Sequence, residues 1–488
     1  MTLFSKKFWS ETPVIKALLQ ATNKPHAAFY APGHKRGMGI NSELLRLCDR
    51  SVFAADLPEL PELDNLFAPL GVINEAQQLA AKTFGAEKTW FLVNGSTCGI
   101  AAAILATCNP NDKIILPRNI HTSAISGLVL SGALPIFINP AYDSQEGLAY
   151  GITPEAVKAA LEKHPDSKAV MMLYPTYQGV CGDIEAIANI THQYNLPLLV
   201  DEAHGAHFAF HPDLPPSALS AGADLTVQST HKVLSAMSQA SMLHLQSKRI
   251  APQRISQALQ LVQSTSPNYI LLASLDAARQ QMATQGTELM ERTLNLATTA
   301  RSHLEMIPKI SVFQPAKQPG VTWCDRTRLT INVSQLGMTG FAADEILHQQ
   351  LGVTCELPLI NHLTFIISLG NTTEDIDKLI AGFQTLSRLQ LPITHYPLPI
   401  THYPLPITRT AISPREAFFA ESKAVPIEQA SDRICTELIC PYPPGIPLLM
   451  PGEKITIRTI DYLQQIASLG GMITGLSDPT LKTIKVIE

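Results

Sequence analysis

Lys232 lies in a stretch of small and hydroxyl-bearing residues, STHKVLSAMSQASMLH (229–244), where a charged side chain is unexpected. It closely follows the apolar run DLTVQS (224–229), which has the composition of a β-strand. A lysine buried near a strand end loses part of its proton affinity and becomes a nucleophile toward carbonyl groups. The alternative is a solvent-exposed lysine without a chemical role, which is the usual state of this residue type.

Asp201 ends a second apolar run, LPLLVD (196–201). A carboxylate there is costly unless a cation or strong hydrogen-bond donors accompany it. One suitable partner is the protonated ring nitrogen of pyridoxal phosphate, which withdraws electrons only while that proton is held. The alternative is an aspartate that caps the next turn. Because Lys232 is suited to binding the aldehyde of the same cofactor, the two residues together favour a pyridoxal phosphate site.

Two segments contain donors suited to a phosphate group. NGSTCG (94–99) follows an apolar run and opens a helix-like segment, where free backbone N–H groups and the helix dipole favour an anion. Ordinary capping by Ser and Thr is the alternative. The second segment is the one that contains Lys232. We expect the phosphate to contact Gly95, Ser96, Thr97, Ser229 and His231.

Histidines follow two of the apolar runs. His121, in RNIHTS (118–123), is placed to lie flat against a cofactor ring, although a loop histidine with ordinary hydrogen bonds is the alternative. Ala203 is small enough to let the opposite face of the ring approach. His204 and His207 are spaced like a metal pair, but no third ligand lies nearby, so we predict no metal site.

Composition and other motifs exclude several classes of protein. The 488-residue chain is 45% hydrophobic and 16% charged with a formal net charge of -5, which argues against a nucleic-acid partner. Its eight cysteines are scattered singly, which favours a reducing, cytoplasmic setting without disulfides or zinc. We expect neither export nor a membrane span. Glycine-rich dinucleotide and P-loop motifs and the Gly-x-Ser-x-Gly elbow are absent from the sequence.

Short apolar runs that alternate with helical segments must position these residues. The runs are TWFLV (89–93), KIILP (113–117), LPIFI (134–138), AVMMLYP (169–175), LPLLVD (196–201) and DLTVQS (224–229). This alternation predicts an α/β fold with a mostly parallel central sheet, in which ligands bind beyond the carboxyl ends of the strands. The candidate residues all follow such runs.

The remaining sequence predicts additional domains. We divide the chain into an N-terminal segment (1–28), a large domain (29–306), a smaller α/β domain (307–390), a linker (391–410) and a C-terminal α+β domain (411–488). Strands are expected at LTINVS (329–334) and TFIISL (364–369). The linker contains LPITHYP twice, followed by LPIT, and its prolines favour an extended spacer over a coiled coil.

The motifs resemble the Orn/Lys/Arg decarboxylases of the aspartate-aminotransferase-like, pyridoxal-phosphate-dependent fold, in their short type without an N-terminal receiver-like domain. The resemblance covers nearly the whole chain. It is carried by FYAPGHKRG (29–37), LDNLFAPLGVINEAQQLAAKTFGAEKTWFLVNGSTCG (63–99), PRNIHTS, YPTYQGVCGDI (174–184), DEAHGAH, STHKVLSAMSQASMLH, STSPNY (264–269), LTINVSQLGMTGF and CPYPPGIPLLMPGE (440–453).

The resemblance implies a role for each candidate residue. Lys232 would bind the cofactor covalently, Asp201 would pair with its ring nitrogen and His121 would stack on the ring. Ser96, Thr97, Ser229 and His231 would surround the phosphate. The family also implies a homodimer or larger homo-oligomer with active sites at the interface, where Ser264 and Thr265 would be a neighbouring subunit's contribution.

The implied reaction is decarboxylation of lysine, arginine or ornithine to CO2 and cadaverine, agmatine or putrescine, amines of the polyamine pathways. The proton would return to the α carbon from Lys232 or His231. Three departures from common family residues, Cys98, Thr122 and Gln178, bear on substrate preference.

The cationic end of the substrate requires a carboxylate or carbonyl group, for which Asp325 and Glu437 are candidates. One alternative function is an aminotransferase with Arg326 or Arg328 as a carboxylate clamp. The other is a regulatory protein that binds the cofactor without catalysis.

Overall fold

The structure is a computed structural model that describes residues 9–389, 410–442 and 445–488. The LPITHYP repeat (391–408) lies outside these residues. Within the described part of the chain, no helix combines the length and apolar character needed to cross a bilayer.

Fifteen α-helices of the described ranges are used below, numbered in chain order. They are α1 (Pro13–Thr22), α2 (Ser42–Leu47), α3 (Arg50–Ala55), α4 (Val72–Phe84), α5 (Gly95–Thr107), α6 (Thr122–Ser131), α7 (Pro154–Lys163), α8 (Ile184–Gln193), α9 (Thr230–Val233), α10 (Pro252–Val262), α11 (Tyr269–Leu304), α12 (Gly340–Leu351), α13 (Thr373–Arg388), α14 (Pro414–Phe419) and α15 (Ile457–Ser468).

The strands of the same ranges include one at each predicted apolar run, with a shift at TFIISL (364–369), where the strand is His362–Ile366. They are β1 (Lys88–Leu92), β2 (Lys113–Pro117), β3 (Leu134–Ile138), β4 (Tyr142–Asp143), β5 (Leu148–Ala149), β6 (Ala169–Leu173), β7 (Val180–Cys181), β8 (Leu198–Asp201), β9 (Leu225–Gln228), β10 (Ser241–Leu245), β11 (Ser311–Val312), β12 (Trp323–Cys324), β13 (Arg328–Asn332), β14 (Leu357–Pro358), β15 (His362–Ile366), β16 (Ser422–Pro426), β17 (Cys440–Tyr442), β18 (Met472–Thr474) and β19 (Thr483–Ile487). The predicted strands at 113–117 and 134–138 are confirmed residue for residue, whereas β10 is not predicted from the sequence.

The chain forms two compact units, the first of residues 1–106 and 201–290. Here the strand order is β1, β10, β9, and β10 is antiparallel to both neighbours. Helix α5 packs closely on these strands, since a Cβ atom at Gly99 would lie 2.7 Å from side-chain atoms of both Leu92 and Val227. Glycine at this position therefore permits the close approach of α5 to the sheet.

A buried polar chain crosses the strands of this unit. Gln228 Nε2 donates to Glu202 Oε2 (2.7 Å), and Gln228 Oε1 lies 3.1 Å from His244 Nε2. His244 Nδ1 lies 2.8 Å from Thr89 Oγ1, and Glu202 Oε1 also accepts from the backbone N–H of Ala218 (2.7 Å). Burial raises the pKa of Glu202 to about 8 and lowers that of His244 to about 3.

Glu202 should make the stability of the protein depend on pH. The unfolded chain releases this proton near pH 4.5, whereas the folded chain retains it to about pH 8. The stabilisation is therefore complete below pH 4.5 and is lost as the pH rises toward 8. Between about pH 5 and pH 8, we expect the free energy of unfolding of the wild type to fall relative to that of Glu202→Gln. The relative fall should be on the order of a few kcal/mol, because one pKa unit corresponds to about 1.4 kcal/mol.

Urea denaturation at several pH values measures this difference. Glu428→Gln, at an exposed glutamate, is the matched control and should follow the wild type. A constant difference between wild type and Glu202→Gln across this pH range would contradict the prediction.

The second unit consists of residues 107–200 and 291–488. In the sheet of this unit the order of neighbouring strands is β8, of which residues 198–200 belong to the unit, then β6, β2 and β3. Strand β2 runs parallel to both β3 and β6. This confirms the predicted parallel pairing for these strands. The helices α7 and α8 belong to the same unit, and α7 begins with Pro154 behind Thr153, whose side chain accepts from the Ala156 N–H.

Two further groups of elements in this unit have their own buried clusters. Strands β11, β13, β15 and β14 form an antiparallel sheet with α12 and α13 in its apolar core. Near the C-terminus, β16 pairs with β19 and β17 with β18, and α15 contributes to another apolar cluster. The domain boundaries derived from the sequence stay predictions.

Candidate active site

Lys232 lies in the short helix α9 and is half-buried, not on the open surface. Its Nζ is 2.9 Å from His204 Nε2. His204 itself is 2% exposed and follows Asp201 by three residues in the same strand-end loop. The sequence does not predict the contact between Lys232 and His204, because His204 is considered there only as a possible metal ligand. The position of His204 in the same loop as Asp201 is the signal in the sequence that points to this contact.

Asp201 is buried at the end of β8, with 3% of its surface exposed. Its Oδ1 accepts from the backbone N–H of Ala203 (3.2 Å). Burial raises the pKa of Asp201, while the positive charge of Lys232 and the Ala203 N–H act in the opposite direction. Since desolvation outweighs both, the ionised carboxylate would be stabilised by an additional N–H donor with positive charge, which is what a protonated pyridine nitrogen supplies.

Two hydroxyl groups meet at the start of α5. Ser229 Oγ donates to Ser96 Oγ at 2.8 Å, although 133 residues separate them. Gly95 has a φ of +74° and its N–H donates to the Gln239 carbonyl (3.0 Å), so that amide is already engaged. Thr97 is exposed. The paired hydroxyls and the helix start form the kind of anion site that a phosphate requires.

Cys98, one of the departures from the family resemblance described above, is buried in the first turns of α5. Its Sγ lies 3.0 Å from the carbonyl oxygen of Gly95, within its own helical turn. Burial raises the pKa of the thiol to about 12. The side chain therefore contacts the helix backbone as a neutral thiol.

His231 contacts the backbone through one ring nitrogen. Nδ1 is 3.0 Å from the carbonyl oxygen of Ala240 and must donate, because a carbonyl only accepts. Burial lowers the pKa of His231, so the ring is neutral at pH 7 and Nε2 carries a lone pair. Only Nε2 is therefore suited to contact a ligand.

Ser264 and Thr265 are exposed, and their loop lies against the start of α5 in the same unit. The Ser264 N–H donates to Asn94 Oδ1 (3.1 Å), and Gln263 Oε1 accepts from the Val93 N–H (2.9 Å). The loop is thus fixed at the phosphate end of the candidate site of its own chain.

His121 belongs to the second unit and is the N-cap of α6. Its Nδ1 accepts from the Ser123 N–H (3.2 Å) and lies 2.9 Å from Ser123 Oγ. A backbone N–H can only donate, so the neutral ring carries its proton on Nε2. Thr122, the residue after His121, donates its N–H to the Gly445 carbonyl (3.1 Å).

The candidate substrate carboxylates are buried and bind groups of their own unit. Asp325 Oδ1 accepts from the backbone N–H (2.9 Å) and hydroxyl (2.7 Å) of Thr327, and Oδ2 lies 3.8 Å from buried Arg328. Glu437 accepts from the N–H groups of Ser477 (2.7 Å) and Lys485 (2.8 Å). A substrate role for either stays a prediction from the sequence.

The first unit therefore brings together most of the predicted cofactor residues. The residues of this set are Gly95, Ser96, Thr97, Asp201, Ala203, Ser229, His231, Lys232, Ser264 and Thr265, whereas His121, Asp325 and Glu437 belong to the second unit. Among the described residues there is no group of three or more His, Cys, Asp or Glu side chains arranged to hold a metal ion.

Comparison with known protein families gives matches over most of the chain. Residues 12–330 match the Orn/Lys/Arg decarboxylase major domain, and residues 402–480 match the C-terminal domain of the same family. The arginine decarboxylase of Bacillus subtilis is 37% identical, and the match covers 98% of each chain. The lysine decarboxylase of Pseudomonas aeruginosa is 24% identical, with 93% of this chain and 75% of that protein covered.

Solved structures show the same fold. The crystal structure of the lysine decarboxylase of Francisella novicida superposes with a TM-score of 0.84 at 22% identity, covering 98% of this chain and 81% of that chain. A structure described as SPT with PLP is similar at a TM-score of 0.52 and 14% identity, covering 79% of this chain and 85% of that chain. These likenesses confirm the predicted α/β, aminotransferase-like fold class.

Proposed function

Because this chain belongs to the Orn/Lys/Arg decarboxylase family, we propose that it converts arginine and a proton to agmatine and CO2. The chain is a decarboxylase and thus belongs to the lyase class of enzymes. The family implies pyridoxal phosphate as its cofactor. The family assignment also decides against the aminotransferase alternative. Arginine is favoured by one observation: the relative that matches over 98% of both chains at 37% identity is an arginine decarboxylase, whereas the lysine enzyme from Pseudomonas aeruginosa is 24% identical.

The residues of the first unit fit the cofactor. Lys232 offers an amine to the aldehyde, buried Asp201 holds a proton at the ring nitrogen, and the Ser96 and Ser229 hydroxyls bind the phosphate. Ala203 leaves space for one face of the ring, and His121 is assigned the other face on the family resemblance alone. When bound, pyridoxal phosphate withdraws the electron pair that remains on the α carbon as CO2 leaves.

Proton transfer depends on two side chains of the same unit. His204 Nε2 lies 2.9 Å from Lys232 Nζ and orients the amine as its hydrogen-bond partner. Lys232 returns a proton to the α carbon from Nζ. His231, whose pKa is lowered by burial, is neutral at pH 7 and is thus a weaker candidate for this step.

We further propose that two copies of the chain form the functional enzyme, as the family resemblance implies. The exposed hydroxyls of Ser264 and Thr265, on a loop fixed at the start of α5, support this arrangement because they are available to a second copy. The predicted cytoplasmic location and a role in polyamine formation belong to the same proposal.

A substrate comparison tests the proposed function. Purified protein with pyridoxal phosphate is incubated separately with arginine, lysine and ornithine, and CO2 and the amine product are measured. We expect kcat/KM for arginine to exceed the other two by at least about tenfold, because a buried polar site discriminates strongly against a ligand that lacks its hydrogen-bonding group. Preference for lysine or ornithine would refute arginine as substrate. Amination of an added keto acid without CO2 release would refute decarboxylation.

A further inference from the structure

The loop after β17 contacts His121 and the first residue of α6. The carbonyl of Gly445 accepts from the Thr122 N–H at 3.1 Å. Gly445 has a φ of +78°, and a Cβ atom built there would lie 3.2 Å from His121 Nε2 and 3.5 Å from Cδ2. The backbone of Gly445 therefore lies directly against the imidazole ring, at a distance that leaves little space for a methyl group.

A buried ion pair fixes this loop to the end of β2. Arg118, three residues before His121, is 2% exposed, and its guanidinium donates to Glu453 Oε2 at 3.0 Å. It also donates to the carbonyls of Pro447 (2.6 Å) and Leu448 (2.9 Å). A buried guanidinium is tolerated when a carboxylate and backbone carbonyls accept its hydrogen bonds, as they do here. The loop 445–453 thus has a defined position relative to the residue that precedes α6.

The other end of α6 is held by the same C-terminal segment. Arg415 Nη1 in α14 donates to the carbonyls of Val129 (3.0 Å) and Leu130 (2.9 Å), in the last turn of α6. Carbonyls of a last turn lack partners within the helix, so a guanidinium there fixes the helix end. Residues of the C-terminal segment therefore hold α6 at both ends.

We propose that Gly445, Arg415 and the Arg118–Glu453 pair are positioning residues for His121. The Ser123 N–H fixes Nδ1 of the ring, α6 fixes its backbone, and Gly445 limits it on the Nε2 side. The inference rests on the proposed function, in which His121 contacts the cofactor ring. A displacement of the imidazole by a few tenths of an ångström weakens that stacking contact, because dispersion falls steeply with distance.

Gly445→Ala tests the inference, with Gly470→Ala as its matched control. Gly470 also has a positive φ, of +84°, but a Cβ atom there meets nothing within 4 Å. Both variants thus carry similar backbone strain, and only one contacts His121. Titration of the cofactor-free proteins with pyridoxal phosphate should give a dissociation constant about tenfold higher for Gly445→Ala than for Gly470→Ala, with similar thermal midpoints.

The outcomes separate the inference from the proposed function. If the wild type binds no pyridoxal phosphate or releases no CO2 from a basic amino acid, the proposed function is refuted. If the wild type is active but the two glycine variants bind the cofactor equally, the positioning role is refuted. Should Gly445→Ala fail to fold, Arg415→Gln replaces it as the test variant, and Arg433→Gln, at an exposed arginine, becomes the control. Equal affinities of these two variants for pyridoxal phosphate would again refute the positioning role.

Discussion

Replacement of Lys232 by alanine is expected to lower kcat at least about a thousandfold and to abolish the visible absorbance of the bound cofactor. Lys232 is the nucleophile in the proposed mechanism, and its Nζ is positioned by His204 at 2.9 Å. The rate of CO2 release measures the change in kcat. The absorption spectrum of the protein with pyridoxal phosphate shows whether the cofactor band is lost. Lys248→Ala, at an exposed lysine, is the control and should leave both unchanged.

Folding is not expected to account for the loss in Lys232→Ala. The side chain is half-buried, and its contact with His204 is worth about 1 kcal/mol, so the thermal midpoint should stay within a few degrees of the wild type. Persistence of the absorbance band in Lys232→Ala would show that another amine binds the cofactor, and the assignment would be wrong.

Asp201→Asn is expected to lower kcat without lowering the stability of the cofactor-free protein. Burial raises the pKa of this carboxyl group, so the ionised form is costly in the cofactor-free protein, and the neutral amide of similar shape removes that cost. We therefore expect the cofactor-free variant to unfold at the same or a higher temperature than the wild type. Without a negative charge to hold the proton on the ring nitrogen, kcat should fall at least about a hundredfold.

Two measurements check the Asp201 prediction. Thermal unfolding of the cofactor-free proteins gives the stability change, and the rate of CO2 release at saturating substrate gives the change in kcat. Asp213→Asn, at an exposed aspartate beyond the same loop, serves as the control. A variant that is less stable but retains its kcat would contradict the proposed role of Asp201.

The sequence predicts elements well where burial alone determines them. KIILP and LPIFI are uninterrupted apolar runs, and they form β2 and β3 with the expected boundaries. Asp201 is found at the end of β8 as predicted, because a single carboxylate after an apolar run is conspicuous. In contrast, β10 contains His244 in the middle of SMLHL, and only the partners Thr89 and Gln228 make a buried histidine acceptable there.

Contacts between distant segments could not be predicted in the same way. Nothing in the residue types of Ser96 and Ser229 specifies that their hydroxyls meet across 133 residues. Likewise, Gly445 follows a proline-rich segment, and its contact with His121 depends on the path of the chain over more than three hundred residues. Local composition determines the elements, whereas these contacts depend on their packing.

The close packing of α5 affects the entropy cost of binding an anion at the start of this helix. Nearly every residue from Cys98 to Ala106 is buried, and Gly99 lets the helix lie directly against its strands. The first turn of such a helix has little freedom left in the absence of a ligand. The conformational entropy of that turn is lost when the chain folds. Binding of a phosphate group therefore requires little further ordering of the turn.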